Sequence, residues 1–408
     1  MKFFSILALC AFMALPSLTQ AELRKIGGKV VIPASSTATP ADLGVRAHTN
    51  IQYFVPTQAL QGPQSFGPPY SGYGFETPAS LGCVYRTVSK RLGGCIPDKT
   101  SVVPVGGSKA IAIVEAYDAP TAASDLAAYS TQFGLPAPNF EKVYASGSQP
   151  ANVPGWELEA SMGIEMAHAM APNAKIILVE AASNSYVDLL QAVAVANQHV
   201  TAEGGGQVVM GWGGSEFASQ VNLDSSFSTP GIVYVAAAGD DPETVWPGTS
   251  PNVVSTGGTT VRRDRVVGKY LEEVPWDLTS GGTSIYEARP SYQDPISALV
   301  GTSRGTPDVA FISNPVTGFW VLDSNQGGWN IVGGTSVSAA GVAGIINLAG
   351  NFYSSSAAEL SVIYTNRDNA AAFHDIRWGY NGSYGGYTAA RSWDFCSGVG
   401  SPLTLVGK

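Results

Sequence analysis

Residues 156–172 read Trp156-Glu157-Leu158-Glu159-Ala160-Ser161-Met162-Gly163-Ile164-Glu165-Met166-Ala167-His168-Ala169-Met170-Ala171-Pro172. The stretch has the length of a helix, and Pro172 stops it just past its last turn. Aliphatic runs stand on either side in the chain, Ala110 to Val114 before it and Lys175 to Val179 after it. Strands alternating with helices are the pattern of a parallel sheet with crossover helices. The alternation continues with strand candidates at Gln207 to Trp212, Ile232 to Ala236, Val253 to Ser255 and Val309 to Ile312, and with helices at Ala122 to Phe133 and Val187 to His199. Ser185 and Asp188 give the last of these a capping-box start. A nearly uncharged helix from Gly341 to Gly350 must be buried on most sides. The expected architecture is one α/β domain over residues 79–408, a mostly parallel sheet with helices on both faces.

The N-terminal part has a different character. Lys2, an apolar run from Phe3 to Pro16, and the small-x-small site Thr19-Gln20-Ala21 read as a secretory signal over residues 1–21. The run falls short of the ~20 residues a membrane span needs, so export to the extracellular or periplasmic space without a membrane anchor is expected. Residues 22–78 are polar, then rich in Pro, Gly and aromatics (Gly67-Pro68-Pro69-Tyr70-Ser71-Gly72-Tyr73-Gly74-Phe75), and lack a helical or strand period. They read as an irregular arm or linker. Export favours oxidation. Cys83 and Cys95 would close a short loop, which leaves Cys396 as a buried thiol. The 22 basic side chains are outnumbered by 31 acidic ones and form no block, which removes nucleic acid as a partner.

Three segments carry chemistry. In Gly333-Gly334-Thr335-Ser336-Val337-Ser338-Ala339-Ala340, two glycines permit close backbone approach and Ser336 opens a buried helix, whose terminal N–H groups favour a developing anion. This suits a nucleophile, although a serine at a helix start also serves as an ordinary cap. The usual base is histidine. His48 lies in the arm, His168 and His199 lie on alanine-rich helices, and neither these nor His374 sits in a Gly-rich turn. A Ser-His-Asp hydrolase is therefore disfavoured. In acid a carboxylate can be the base. Glu159 on the quoted helix and Asp240, which follows the strand end Val235-Ala236-Ala237-Ala238-Gly239, are the candidates. A strand's carboxyl end is where open α/β sheets place their sites.

Taken together, these segments resemble the sedolisin family of serine-carboxyl peptidases, which have a subtilisin-like fold. The matches run in order from Phe75-Glu76-Thr77-Pro78 through the helix Glu159 to Pro172, Gly211-Trp212-Gly213-Gly214, Ala237-Ala238-Gly239-Asp240, Ser250-Pro251-Asn252 with Gly257-Gly258-Thr259, and the serine motif, to Asp375-Ile376, Trp393-Asp394 and Gly398-Val399-Gly400-Ser401-Pro402. The resemblance implies Ser336 as nucleophile, Glu159 as general base, and a protonated Asp240 that stabilises the oxyanion beside the Ser336 N–H. It also implies one structural Ca²⁺, held by the side chains of Asp375 and Asp394 and the carbonyls of Ile376, Ala390 and Ser392, since hard oxygen donors suit this ion. The substrates would be polypeptides, cut at acidic pH by an exported monomer.

Three departures accompany the matches. Gly163 stands where the family has an aspartate, four residues after the base and about 40° away around the helix. Glu157 and Glu165, about 160° and about 120° away, cannot replace it locally. Ala340 replaces a usual proline, and only residues 22–74 stand where the family carries a long folded propeptide. An attenuated serine-carboxyl endopeptidase, which Gly163→Asp would enhance, is the first expectation. A catalytically silent relative that binds peptides or a surface partner is the alternative.

Overall fold

The structure is a computed structural model and describes residues 27–57, 67–70, 72–91, 93–382 and 386–408. The signal expected at 1–21 lies outside the described residues. The chain begins with three strands of the arm, β1 (Gly28–Val31), β2 (His48–Thr49) and β3 (Gln52–Pro56), followed by helix α1 (Pro78–Val84). An alternating region follows: β4 (Ala110–Ala116), α2 (Ala122–Phe133), β5 (Asn139–Tyr144), α3 (Trp156–Met170), β6 (Lys175–Ala181), α4 (Tyr186–Ala202) and β7 (Gly206–Met210). Then come β8 (Trp212–Ser215), β9 (Ile232–Ala237), β10 (Val245–Trp246), β11 (Val254–Arg263), β12 (Tyr270–Pro275) and β13 (Gly282–Ala288). The rest includes α5 (Ser297–Val300), β14 (Ser303–Thr306), β15 (Val309–Ile312), β16 (Phe319–Asp323), β17 (Gly328–Gly333), α6 (Thr335–Ala349) and α7 (Ser356–Thr365).

The main sheet has the order β12-β11-β9-β7-β4-β6-β5, with β15 also on β11. All of its pairings are parallel except the β11–β12 hairpin. Alternation along β4 sets its two faces. Ile111 and Ile113 join the core that contains α2, α3 and α6, whereas Ala110, Ala112, Val114 and Ala116 pack with α4 on the opposite face. Helices thus cover both faces, as expected. Every residue of α3 is buried, because it lies between the sheet and α6. Gly344 of α6 lets this pair approach closely, since a Cβ there would sit 2.6 Å from the Met170 Cβ.

The arm departs from the irregular segment expected. β1 and β3 extend an antiparallel sheet in the order β1-β3-β17-β16, and β2 lies on β8. These strands are too short for a clear period to register in the sequence, and β2 and β3 pair with β8 and β17 far along the chain. Other elements shift as well. The expected strand Gln207 to Trp212 is broken at Gly211, β11 runs far beyond the expected Val253 to Ser255, and α6 begins at Thr335 rather than Gly341. Cys83 and Cys95 form the disulfide and Cys396 is a buried free thiol. Among the described residues no helix is long and apolar enough to cross a membrane.

The core encloses many carboxyl groups. Burial pushes Glu180 and Glu359 up to about 8 and Asp323 up to about 7, and it raises Glu165 well above the ordinary range. Groups with raised folded values hold protons that the unfolded chain has released. Between the ordinary carboxylate range near 4 and about 8, the native state therefore binds more protons, and stability is lost as pH rises. Glu141, held down by its hydrogen bond to Lys175, and His168, which burial pushes down to about 4, oppose this in the acid half of the range. The melting temperature is expected to be highest near pH 4–5 and to fall steadily towards pH 8. Thermal melts across that range check this, and a maximum at neutral pH would contradict it.

Candidate active site

Ser336 lies in the first turn of α6, immediately after strand β17 and the Gly333-Gly334 turn. Gly334 has a φ of 115°, a conformation that favours glycine. The serine is fully buried. Its Oγ donates to the carbonyls of Gly211 and Asn50, each at 2.8 Å, and its N–H donates to the same Asn50 oxygen at 3.3 Å.

Asp240 follows β9 and is fixed through Thr335. One oxygen, Oδ1, accepts from the Thr335 N–H at 2.7 Å and the Thr335 hydroxyl at 2.8 Å, and the Thr335 Oγ1 in turn accepts from the Gly239 N–H at 3.0 Å. The other oxygen, Oδ2, is buried without a partner. Burial pushes this carboxyl up to about 7, so in acid Oδ2 carries a proton with no acceptor in place. It lies near the serine turn: a Cβ added to Gly334 would be 2.8 Å from it.

Glu159 projects from α3 toward Gly211, where the strand predicted as continuous is interrupted. A Cβ at Gly211 would collide with Glu159 Oε1 and lie 2.9 Å from Glu115 Oε1, which is why the chain has glycine there and bends between β7 and β8. Burial raises Glu159 well above the usual range, with a contribution from the Asp240 charge, and the Ser336 hydroxyl works against it. The Ser336 hydroxyl is close enough to favour the Glu159 carboxylate but points at the two carbonyls, so neither Glu159 oxygen accepts a well-formed hydrogen bond. Ser336, Glu159 and Asp240 are thus brought together from three separate elements.

Sequence reasoning missed Glu115. It stands at the carboxyl end of β4, on the same face as Ile111 and Ile113, and is buried. Burial and then the Glu159 charge raise it well above the usual range, while the Gly211 N–H pulls it down. The pairing of α3 with β4 explains its position. Gly163 faces Ile113, since a Cβ there would meet Ile113 Cγ2 at 2.8 Å. Four residues back along the helix and two onward along the strand, Glu159 meets Glu115. The signal was available as a charged residue continuing an aliphatic strand on its core face. Gly163 is therefore a packing position, where even a Cβ would force Ile113 to shift.

The other carboxylates of α3 belong elsewhere, as their angles implied. Glu157 accepts from the amides of Asn152, Asn325 and Gln326, and Glu165 accepts from the Leu322 N–H. The histidines also have other roles. His168 Nε2 meets the Pro136 carbonyl, His199 pairs with Glu141, His374 lies beside Glu273, and His48 is part of β2.

At the C-terminal loop, Asp375 accepts from the Ser392 N–H at 3.1 Å and pairs with Arg377 at 2.7 Å. Asp394 accepts from the N–H groups of Ala390, Cys396 and Ser397. Both aspartates thus flank the segment holding Ala390 and Ser392, with Ile376 buried beside Asp375. Among the described residues no group of three or more His, Cys, Asp or Glu side chains could hold a metal. The expected set uses two carboxylates and three carbonyls, and it fits in kind. Burial pushes Asp394 up to about 6, and the groups that chiefly counter it are neutral N–H and hydroxyl donors. A cation there would relieve a buried charge.

No family profile matches the chain. Kumamolisin of Bacillus sp. (strain MN-32) is 32% identical over 339 residues, covering 74% of this chain and 59% of that protein. Sedolisin of Pseudomonas sp. (strain 101) is 32% identical over 179 residues, covering 38% of this chain and 28% of that protein. The chain thus spans less than two thirds of the length of these relatives. Among solved structures, Pseudomonas sedolisin, a serine-carboxyl proteinase complexed with two molecules of pseudo-iodotyrostatin, superposes with a TM-score of 0.66 at 22% identity, over 80% of this chain and 95% of that one. This likeness establishes the subtilisin-like fold.

The contact between Gly163 and Ile113 reverses the expected benefit of Gly163→Asp. Forcing a side chain against a β-branched methyl group overpacks the α3–β4 contact and costs about 1–3 kcal/mol. Gly163→Asp and Gly163→Ala should both lower the melting temperature without raising peptidase activity. A Gly163→Asp chain as stable as wild type and more active would contradict this packing role.

Proposed function

Because the chain belongs to the sedolisin family, we propose that it is a serine-carboxyl endopeptidase, exported and monomeric, that hydrolyses polypeptides in acid. The observation that carries this reading is the meeting of Ser336, Glu159 and Asp240 at Gly211 and the α6 terminus, with Asp240 protonated up to about 7. Glu159 takes the Ser336 proton as Oγ attacks the substrate carbonyl carbon. The oxyanion then receives the Ser336 N–H and the proton on Asp240 Oδ2. When the C–N bond breaks, Glu159 returns the proton to the departing amine, and water repeats the sequence on the acyl-enzyme.

In this reading Glu115 does for Glu159 what an aspartate at position 163 would do. Two buried carboxyls side by side cannot both ionise easily, so they share a proton. With that proton on Glu115, Glu159 is kept as a carboxylate and oriented by its neighbour. The absent aspartate at 163 favours the alternative of a silent, peptide-binding relative, and activity decides between them. Ca²⁺ is proposed at Asp375, Ile376, Ala390, Ser392 and Asp394. The ion would supply a fixed positive charge that ties the C-terminal loop together.

Cleavage of an acid-unfolded protein should pass through a maximum below about pH 7, falling above it as Asp240 ionises and falling at lower pH as the Glu115–Glu159 pair takes up its second proton. Ser336→Ala, Glu159→Gln and Asp240→Ala should each reduce the rate by about 10²–10⁴-fold with the fold intact, and Glu115→Leu should cost more than Glu115→Gln, which keeps a donor. Initial rates with melting curves check this, and full activity in Ser336→Ala would overturn it. Chelation should lower the melting temperature, a response that Asp394→Asn removes. An unchanged melt after verified metal removal would refute the calcium site.

A further inference from the structure

Two glycines beside the candidate active site present bare backbone, and one side chain fills the space they leave. Gly213 lies in β8, two residues beyond Gly211, and Gly239 immediately precedes Asp240. A Cβ on Gly213 would collide with Val245 Cγ1, and a Cβ on Gly239 would lie 2.5 Å from Val245 Cγ2. The Val245 isopropyl group therefore fills the gap between β8 and the turn that carries Asp240. Glycine alone at both positions lets the valine sit there.

A residue that offers its carbonyl to Ser336 puts its side chain at this gap. The Asn50 carbonyl, which accepts from the Ser336 hydroxyl at 2.8 Å, marks the position of such a carbonyl. The Asn50 Nδ2 stands 3.6 Å from the place a Gly213 Cβ would take, and it donates to the Gly211 carbonyl at 2.8 Å. This short side chain thus reaches Gly213 and bends back to Gly211, with Val245 beyond it. Val245 has little freedom to yield. It is β-branched and stiff at χ1, and β10 fixes its backbone, with Val245 opposite Ser215 and Trp246 opposite Gly214. Trp246, next in the chain, is fully buried against Tyr186 and Phe217. On the other side, the Thr244 hydroxyl donates at 2.6 Å to Glu216, a buried carboxyl that also accepts from the Ser284 hydroxyl and the Gln220 amide.

Resting on the peptidase reading above, we propose that Val245 sets the cleavage specificity of this chain: it closes the gap between Gly213 and Gly239, so that polypeptides are cut after small residues such as Gly, Ala and Ser. Those side chains end before they reach the isopropyl group. A Phe, Tyr or Leu in the same place would have to displace a valine held on both sides, and overpacking of this kind is unfavourable. A single methylene in an apolar pocket changes the rate by about 10–200-fold, so a whole aromatic ring is discriminated at least as strongly.

The test uses the full-length chain in acid with two peptides that differ only in the residue supplying the scissile carbonyl, Ala in one and Phe in the other. Mass spectrometry locates the cut, and Ser336→Ala is the control for foreign proteases. Wild type should cleave the Phe peptide with a kcat/KM about 10²-fold or more below that of the Ala peptide. Val245→Gly should raise the Phe-to-Ala ratio by about 10–200-fold. Val245→Ala, which keeps a side chain in the strand, should give an intermediate ratio, and melting curves establish that each variant is folded. Wild type that cuts both peptides equally well would overturn the proposal and leave the peptidase reading standing. So would a wild-type ratio in a folded Val245→Ala or Val245→Gly chain. If wild type and both variants cut neither peptide nor an unfolded protein, the peptidase reading itself fails and this specificity falls with it.

Discussion

The closeness with which α3 lies on β4 determines the rest of the site. Gly163 has no side chain, so the helix descends until its backbone meets Ile113. That descent carries Glu159, one turn earlier, against Glu115 and up to Gly211. Gly211 must then be side-chain-free as well, and the break it makes between β7 and β8 turns its carbonyl to the Ser336 hydroxyl. From the other side, Gly344 seats α6 on α3, so Ser336 at the start of α6 and Glu159 on α3 are positioned by one contact surface. A single packing geometry places Ser336, Glu159 and Glu115 together.

That geometry also removes water from the carboxyl groups, and their protonation follows. Glu115, Glu159 and Asp240 are all raised, with burial as the largest cause in each case. At neutral pH three neighbouring buried charges would oppose one another with no cation among them to compensate. Below about pH 7 Asp240 holds a proton it can donate, and the two glutamates cannot both ionise easily, so one burial serves both of the proposed roles, oxyanion donor and base. The structural carboxyls Glu180, Asp323 and Glu359 shift the same way, which ties the stability of the fold to the same acidic range.

Much of this was legible in the sequence, and the limits have physical causes. α2 and α3 occupy the predicted ranges because their boundaries carry local signals, and β4, β6, β9 and β15 were visible as aliphatic runs. Ser336, Glu159 and Asp240 were found because each stands in a motif of its own. Glu115 was missed because the aliphatic run was read as ending at Val114, and its role depends on a partner that only the packing supplies. Gly163 was read as a lost aspartate because a sequence does not display Ile113 across the interface. The strands of the arm were missed for a similar reason. Strands of two to five residues carry no clear period, and the regularity of β2 and β3 comes from β8 and β17, which they join.

The central claim is that a protonated Asp240, rather than an imidazole, governs the reaction. The most direct measurement is the pH dependence of kcat/KM for a peptide substrate, compared between wild type and Asp240→Asn. The account predicts a wild-type rate that declines through an apparent pKa near 7. In Asp240→Asn, whose amide keeps an N–H at every pH, that decline should move to higher pH even if turnover falls. A decline at the same pH in both proteins, or a wild-type rate that climbs through pH 7 as an imidazole base would require, would contradict it.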